Sequence, residues 1–156
     1  MDKQLIEVVK KVAIEEFNKN PKIVKAAYSK LNFKILTLKL IEENLECRDR
    51  RLVTIRQTIM TLVHDLRDKY TLQQLGSIFN KDHATSLYSI NQISNLKYSS
   101  KEYSDYYSRC SERLSIFKKC GFTYNASLTD RAFIKALSVV RNYGDKAVRE
   151  LINKFY

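Results

Sequence analysis

Side chains that form hydrogen bonds are concentrated in one short stretch, at Lys81, Asp82, His83, Thr85 and Ser86. Amino, carboxylate, imidazole and hydroxyl groups contact the edges of nucleic-acid bases or the backbone phosphates. Asp82, for example, can accept a hydrogen bond from cytosine N4, and Thr85 can bond to a base or touch a thymine methyl group. For this chemistry, the stretch must lie at the exposed end of a rigid element.

A helix-turn-helix pattern surrounds this stretch. Thr71 and Gln74 have the spacing of a capping box, which predicts a short helix over 72–79. A turn follows at 80–81, and Asp82 is the predicted N-cap of a second helix. In the helix-turn-helix plan, the N-terminal end of the second helix enters the major groove of DNA. The residues that we expect this helix to bury are Leu87, Ile90, Ile93 and Leu96.

The rest of the chain is also helical by its periodicity, which predicts an all-α fold with a helix-turn-helix core. Only three glycines and one proline argue against an all-β protein with many tight turns. Residues 33–45 favour a helix over 38–44, with a strand at 33–36 as the alternative. Apolar stripes at helical spacing are Ile6, Val9, Ala13 and Phe17; Leu52, Ile55, Ile59, Leu62, Val63 and Leu66; and Tyr103, Tyr107, Cys110, Leu114 and Phe117.

The pattern and the charge together predict three regions. These are a helical N-terminal extension over 1–45, a helix-turn-helix domain over 46–120 and a basic helical C-terminal extension over 121–156. The formal net charge is +11, and residues 109–156 carry ten basic but only four acidic side chains. This excess favours a polyanionic partner, with phosphate contacts in the last third of the chain. A solvated basic helix face is the alternative interpretation.

Several classes of protein are disfavoured. No apolar run approaches the ~18 residues of a membrane span, and the N-terminus lacks a signal-peptide plan. Three cysteines, at 47, 110 and 120, have neither disulfide nor zinc spacing. We therefore expect a cytoplasmic protein with no membrane partner, no metal, no cofactor and no enzymatic activity. Of the four tyrosines that could stack on bases, we expect two in the core and two at its rim: Tyr98, Tyr103, Tyr106 and Tyr107.

Two residue strings resemble the C-terminal helix-turn-helix DNA-binding domain of the bacterial replication initiator DnaA, over about residues 46–115. They are RQTIMTL at 56–62 and LQQLGSIFNKDHATSL at 72–87. The positions that match the family motif are Leu75-Gly76, Phe79, Lys81-Asp82-His83, Thr85 and Leu87. The resemblance implies that Asp82 and His83 contact bases in the major groove, with Lys81 as the basic residue before them.

The resemblance also implies contacts to the DNA backbone. Thr85 is expected on a phosphate, while Arg56 and Tyr88 match further contact positions of the family. At the start of the preceding helix, which Thr71 caps, the family uses backbone N–H groups that correspond to Leu72 and Gln73.

The sequence departs from the family motif at three positions. Ala84 replaces a threonine that contacts bases, although its methyl group can still touch thymine. Ser86 replaces a valine, and Thr54 stands where the family has an arginine in the minor groove. Three nearby arginines are the candidates for that minor-groove contact: Arg48, Arg50 and Arg51. The sequence also lacks the Gly-rich phosphate loop of the initiator's ATPase module.

The function that these observations predict is sequence-preferring binding of double-stranded DNA, in replication initiation, origin recognition or transcription regulation. A phage or a mobile element is the expected source, which places the protein in the host cytoplasm. The alternative is a phage structural, assembly or packaging protein that uses the motif as a scaffold and is found in the virion. Burial of residues 81–85 would favour the alternative. Self-association and other replication or virion proteins stay open as partners.

In full, the expected DNA-binding residues are Arg48, Arg50, Arg51, Arg56, Thr71, Leu72, Gln73, Lys81, Asp82, His83, Ala84, Thr85, Ser86 and Tyr88.

Overall fold

The computed structural model describes residues 2–24, 31, 33–66 and 69–120, with side chains as far as residue 116. The chain divides into two compact units, Met1–Leu114 and Ser115–Tyr156. Of the second unit, the structure describes the backbone of residues 115–120 and the side chains of residues 115 and 116. The helices expected in 121–156 therefore lie outside the described residues, as does the proposed role of that basic segment.

Helices account for the regular structure of the described residues, and no strand occurs among them. This confirms the predicted all-α class. A 3₁₀ turn covers Pro21–Ile23. The described residues form six α-helices, which are α1 (Lys3–Lys19), α2 (Leu38–Glu43), α3 (Arg50–Leu66), α4 (Leu72–Ser77), α5 (His83–Ser99) and α6 (Lys101–Cys120).

Helix α2 settles the ambiguity at residues 33–45. Thr37 is its N-cap and accepts a hydrogen bond from the Leu40 backbone N–H at 3.2 Å. The strand alternative at 33–36 is absent, and Leu36 instead exchanges two hydrogen bonds of 2.8 Å with the Asn18 side chain. Ile41 is the buried residue of α2.

Helix α3 is central to the first unit, where it packs against α1, α4 and α5. Most of its predicted stripe is buried, but Leu66 is half-exposed. In α1, the predicted residues Ile6, Val9, Ala13 and Phe17 are all buried. The predicted stripes of α1, α3 and α6 therefore contribute to the core, except for Leu66, and the side chain of Phe117 lies outside the described residues.

Tyrosines of α6 fix this helix to the core. Tyr103 and Tyr106 are fully buried, and Tyr107 is 5% exposed. The Tyr103 hydroxyl lies 2.5 Å from Thr58 Oγ1, and the Tyr106 hydroxyl donates to the Ala13 carbonyl at 3.0 Å. Three of the four tyrosines are thus core residues, one more than expected, whereas Tyr98 is 96% exposed.

A buried carboxylate also joins α1 to α6 within the first unit. The Glu16 side chain is 1% exposed and pairs with Lys19 at 2.5 Å, Arg113 at 2.8 Å and Arg109 at 3.2 Å. Burial raises the pKa of Glu16, but hydrogen bonds from Lys19 and Arg113 outweigh burial and keep this pKa below its ordinary value. Glu16 is therefore a charged structural residue.

The predicted buried face of α5 is wrong. Of its four members, only Ile93 is buried, and Leu87 is 49% exposed. Ser86 and Ser89 are fully buried instead, with hydroxyl groups that donate to the Asp82 and Thr85 carbonyls one turn earlier. Because these bonds satisfy the serine hydroxyls, small polar residues can face the interior, and Leu87 lies on the outer face.

Candidate nucleic-acid interface

The turn between α4 and α5 is built around Gly76. Its carbonyl accepts hydrogen bonds from the backbone N–H groups of Phe79 at 3.1 Å and Lys81 at 2.9 Å. A Cβ atom at position 76 would lie 2.3 Å from the Lys81 carbonyl oxygen and 2.7 Å from that of Asp82. Asn80 completes the turn with a φ of 54°, in the left-handed region that asparagine tolerates. Glycine thus allows α4 and the start of α5 to approach closely.

Both helix starts are capped as predicted. In α4, the Thr71 hydroxyl accepts from the Gln74 N–H at 3.2 Å, and the Gln74 side chain accepts from the Thr71 N–H at 2.9 Å. In α5, Asp82 Oδ1 accepts from the Thr85 N–H at 2.7 Å. Hydrogen bonds from the Thr85 hydroxyl and backbone lower the pKa of Asp82. Asp82 is therefore an ionised cap at neutral pH.

Residues at the start of α5 form the surface that the sequence analysis singled out. Asp82, His83 and Ala84 are exposed, while Lys81 and Thr85 are half-buried. Ser86 has no solvent exposure and donates to the Asp82 carbonyl at 3.2 Å, so it supports the helix from inside. The segment 81–85 is accessible rather than packed away.

Arg56 is 6% exposed and holds the loop between α2 and α3. Its guanidinium donates to the carbonyls of Asn44 at 2.9 Å, Cys47 at 2.7 Å and Leu45. Burial lowers the pKa of Arg56. Arg56 is therefore a buried structural residue that stabilises the loop beneath the predicted interface.

Arg51 is also engaged within the chain. It pairs with Asp49 at 2.9 Å, donates to the Leu31 carbonyl at 2.8 Å and stacks over the Phe33 ring at 3.8 Å. Arg48, in the loop before α3, and Arg50, the first residue of α3, are by contrast exposed. The three arginines proposed for the minor groove thus divide into one internal and two surface residues.

Two concave surfaces bring the exposed arginines next to α5. A cavity of about 200 Å³ is lined by Arg48, Lys81 and Thr85 among others. A groove of about 570 Å³ is lined by Arg50 and Tyr88, together with Gln57 of α3 and Asn95 of α5. Gln57 lines both surfaces. Both surfaces lie along the contact between α3 and α5, because residues of both helices line each of them.

At the start of α4, Thr71 and Gln73 are exposed and Leu72 is half-buried. The cap residue Thr71 uses its hydroxyl for Gln74, so phosphate contact here would fall to the backbone and to Gln73.

Sequence reasoning missed two features of this surface. Glu46 Oε1 accepts a hydrogen bond from Lys81 Nζ at 2.6 Å, and this bond lowers the pKa of Glu46. No local pattern connects residues 35 positions apart, so this pair could not be foreseen. Leu87 is the second feature, and the spacing of Ser86, Ser89 and Ile93 was the signal that could have placed it outside.

Within the described ranges, no group of three or more metal-ligating side chains is found. The same part of the chain contains no helix long and apolar enough to cross a membrane.

Residues 32–93 match the family model described as the bacterial DnaA protein helix-turn-helix. No curated protein and no solved structure matches the chain. The matched segment includes α2, α3 and α4 and ends at Ile93 within α5. This confirms the resemblance, although the match begins before residue 46 and ends before residue 115. Helix α2, assigned to the extension by the sequence analysis, is part of the matched segment.

Proposed function

We propose that this chain binds double-stranded DNA with sequence preference and places the start of α5 in the major groove. The observation that carries the proposal is the exposed Asp82-His83-Ala84 end of α5, held by the Gly76 turn within a DnaA-type helix-turn-helix. A helix-turn-helix contacts base edges with the first residues of its second helix. Asp82 and His83 supply hydrogen-bonding groups at that position.

Contacts to the DNA backbone surround this centre in our proposal. Lys81, Thr85 and Arg48 share one concave surface beside the helix start, where Lys81 is paired with Glu46, so a phosphate group there would contact Arg48 and Thr85 and compete with Glu46 for Lys81. The start of α4, at Thr71, Leu72 and Gln73, supplies further phosphate contacts, as the family resemblance implies. These contacts fix the orientation of α5 and carry little sequence information.

The groove that contains Arg50 and Tyr88 extends the interface along α5. We assign these two residues to the flanking backbone or the adjacent minor groove. Arg51 and Arg56 position the α2–α3 region through internal bonds, and Ser86 packs inside, so we assign none of these three a direct contact. The interface is thereby reduced to the exposed and half-buried members of the predicted set.

We place this DNA binding in origin recognition or transcription regulation, because the family resemblance is to a replication initiator's DNA-binding domain. A phage or mobile-element source is part of the same proposal. The scaffold alternative requires residues 81–85 to be packed against the rest of the chain. Asp82, His83 and Ala84 are exposed and Lys81 and Thr85 are only half-buried, which supports DNA binding instead.

Duplex binding across a salt series tests the proposal, with a sequence selected from a random pool and a scrambled control. The variant Asp82→Ser/His83→Ala removes the base-contacting groups, while serine preserves the N-cap. The matched control, His64→Ala/Asp105→Ser, removes the same two residue types outside the motif. We expect only the motif variant to lose site preference, by about 10- to 100-fold, with an unchanged salt slope. Equal and steeply salt-dependent binding of all duplexes by all three proteins would support the scaffold alternative.

A further inference from the structure

Two apolar side chains on the outer face of α5 follow the proposed base-contacting residues. Ala84 is exposed, and Leu87 is 49% exposed despite its size. These two residues lie three positions apart and are therefore neighbours on one helix face. They point outwards because Ser86, Ser89 and Ile93 occupy the buried face.

This face is also uncharged. From His83 to Leu96, α5 has no Asp, Glu, Lys or Arg, within a chain of net charge +11. A phosphate group would gain no ion pair from this part of α5. In the major groove, the apolar group that a base edge presents is the C5-methyl group of thymine.

We infer that Ala84 and Leu87 form a thymine-specific contact and bind the C5-methyl groups of two neighbouring base pairs. This inference rests on the proposed function. A helix rises about 1.5 Å per residue, so the two side chains are about 4.5 Å apart along the axis. Base pairs are spaced by about 3.4 Å, which allows each side chain to face its own step. Leu87 is thus a specificity-determining residue.

Deoxyuridine provides the test, because it differs from thymidine only by the missing methyl group. Each thymine of the selected duplex is replaced in turn, and binding is compared for the wild type and Leu87→Ala. We expect the wild type to lose about fourfold in affinity at the thymine that Leu87 contacts. Leu87→Ala should bind the thymine and deoxyuridine duplexes equally at that position.

Ile35→Ala is the matched control, because Ile35 is another exposed aliphatic residue, at 66%. This variant should retain the full response to deoxyuridine. A wild type that prefers the selected duplex but ignores every deoxyuridine replacement would overturn the inference and leave the proposed function intact. A site selected from the random pool that contains no thymine would also overturn the inference and leave the proposed function intact. A wild type that binds all duplexes equally would instead refute the proposed function, and the inference with it.

Discussion

Replacing Gly76 with alanine should damage the turn that orients α5. The new Cβ atom would meet the Lys81 carbonyl oxygen at 2.3 Å, the Asp82 oxygen at 2.7 Å and the Lys81 carbonyl carbon at 2.9 Å. Ordinary contacts begin near 3.4 Å, so relief requires a backbone movement of roughly 1 Å. Gly76 also accepts the Lys81 N–H, and this movement would weaken that bond.

The size of the effect follows from two opposing contributions. Overpacking against atoms that cannot rotate away costs about 3 kcal/mol, the upper part of the usual range. Alanine in place of glycine within a helix returns about 1 kcal/mol. We therefore expect Gly76→Ala to lower the free energy of unfolding by about 2 kcal/mol. Because the displaced atoms belong to residues 81 and 82, site-specific DNA affinity should fall as well.

Urea unfolding followed by circular dichroism measures the first effect, and duplex binding measures the second. Ser77→Ala is the control, since Ser77 is the exposed neighbour in α4 and already has a Cβ atom. This variant should differ from the wild type by no more than about 0.5 kcal/mol. A Gly76→Ala protein as stable as the wild type, with unchanged site preference, would refute the steric argument.

Three further predictions concern charged residues around the interface. Arg56→Ala should lower the free energy of unfolding in urea by about 3 kcal/mol, because buried carbonyls lose their donor, whereas Arg48→Ala should change it by less than about 0.5 kcal/mol. Folding lowers the pKa of Asp82, so the wild type should have a higher free energy of unfolding than Asp82→Ser above pH ~4. This difference should disappear as the pH falls through the pKa of Asp82 in the folded protein, which unfolding experiments over a pH series would measure. Glu46→Gln should free Lys81 for phosphate and steepen the salt dependence of DNA binding by about one unit.

Local chemistry allowed the helices of the interface to be predicted. The Thr71–Gln74 capping box and the Asp82 cap each involve residues three positions apart, so the sequence contains both partners. The helix stripe of α1 likewise depends only on spacing within one element. Features of this kind are determined before tertiary contacts form, and the structure confirms them.

The roles of the arginines could not be predicted in the same way. Arg48, Arg50, Arg51 and Arg56 have equivalent side chains within nine positions, yet two are exposed and two are engaged inside the chain. Arg56 finds its carbonyls where α2 ends and the following loop turns, and the path of that loop is a tertiary property. Residue type therefore identified a basic segment but not which of its members reach the surface.

In helix α5, hydrogen bonds of serine side chains to the preceding turn influence which side of the helix is buried. Hydrophobicity alone predicts that Leu87 is buried. Ser86 and Ser89 can be buried in its place because their hydroxyl groups donate to carbonyls of the preceding turn. Small side chains on the inner face leave Leu87 on the outer face, next to the proposed base-contacting residues Asp82 and His83. The deviation from the hydrophobic pattern thus coincides with the proposed interface.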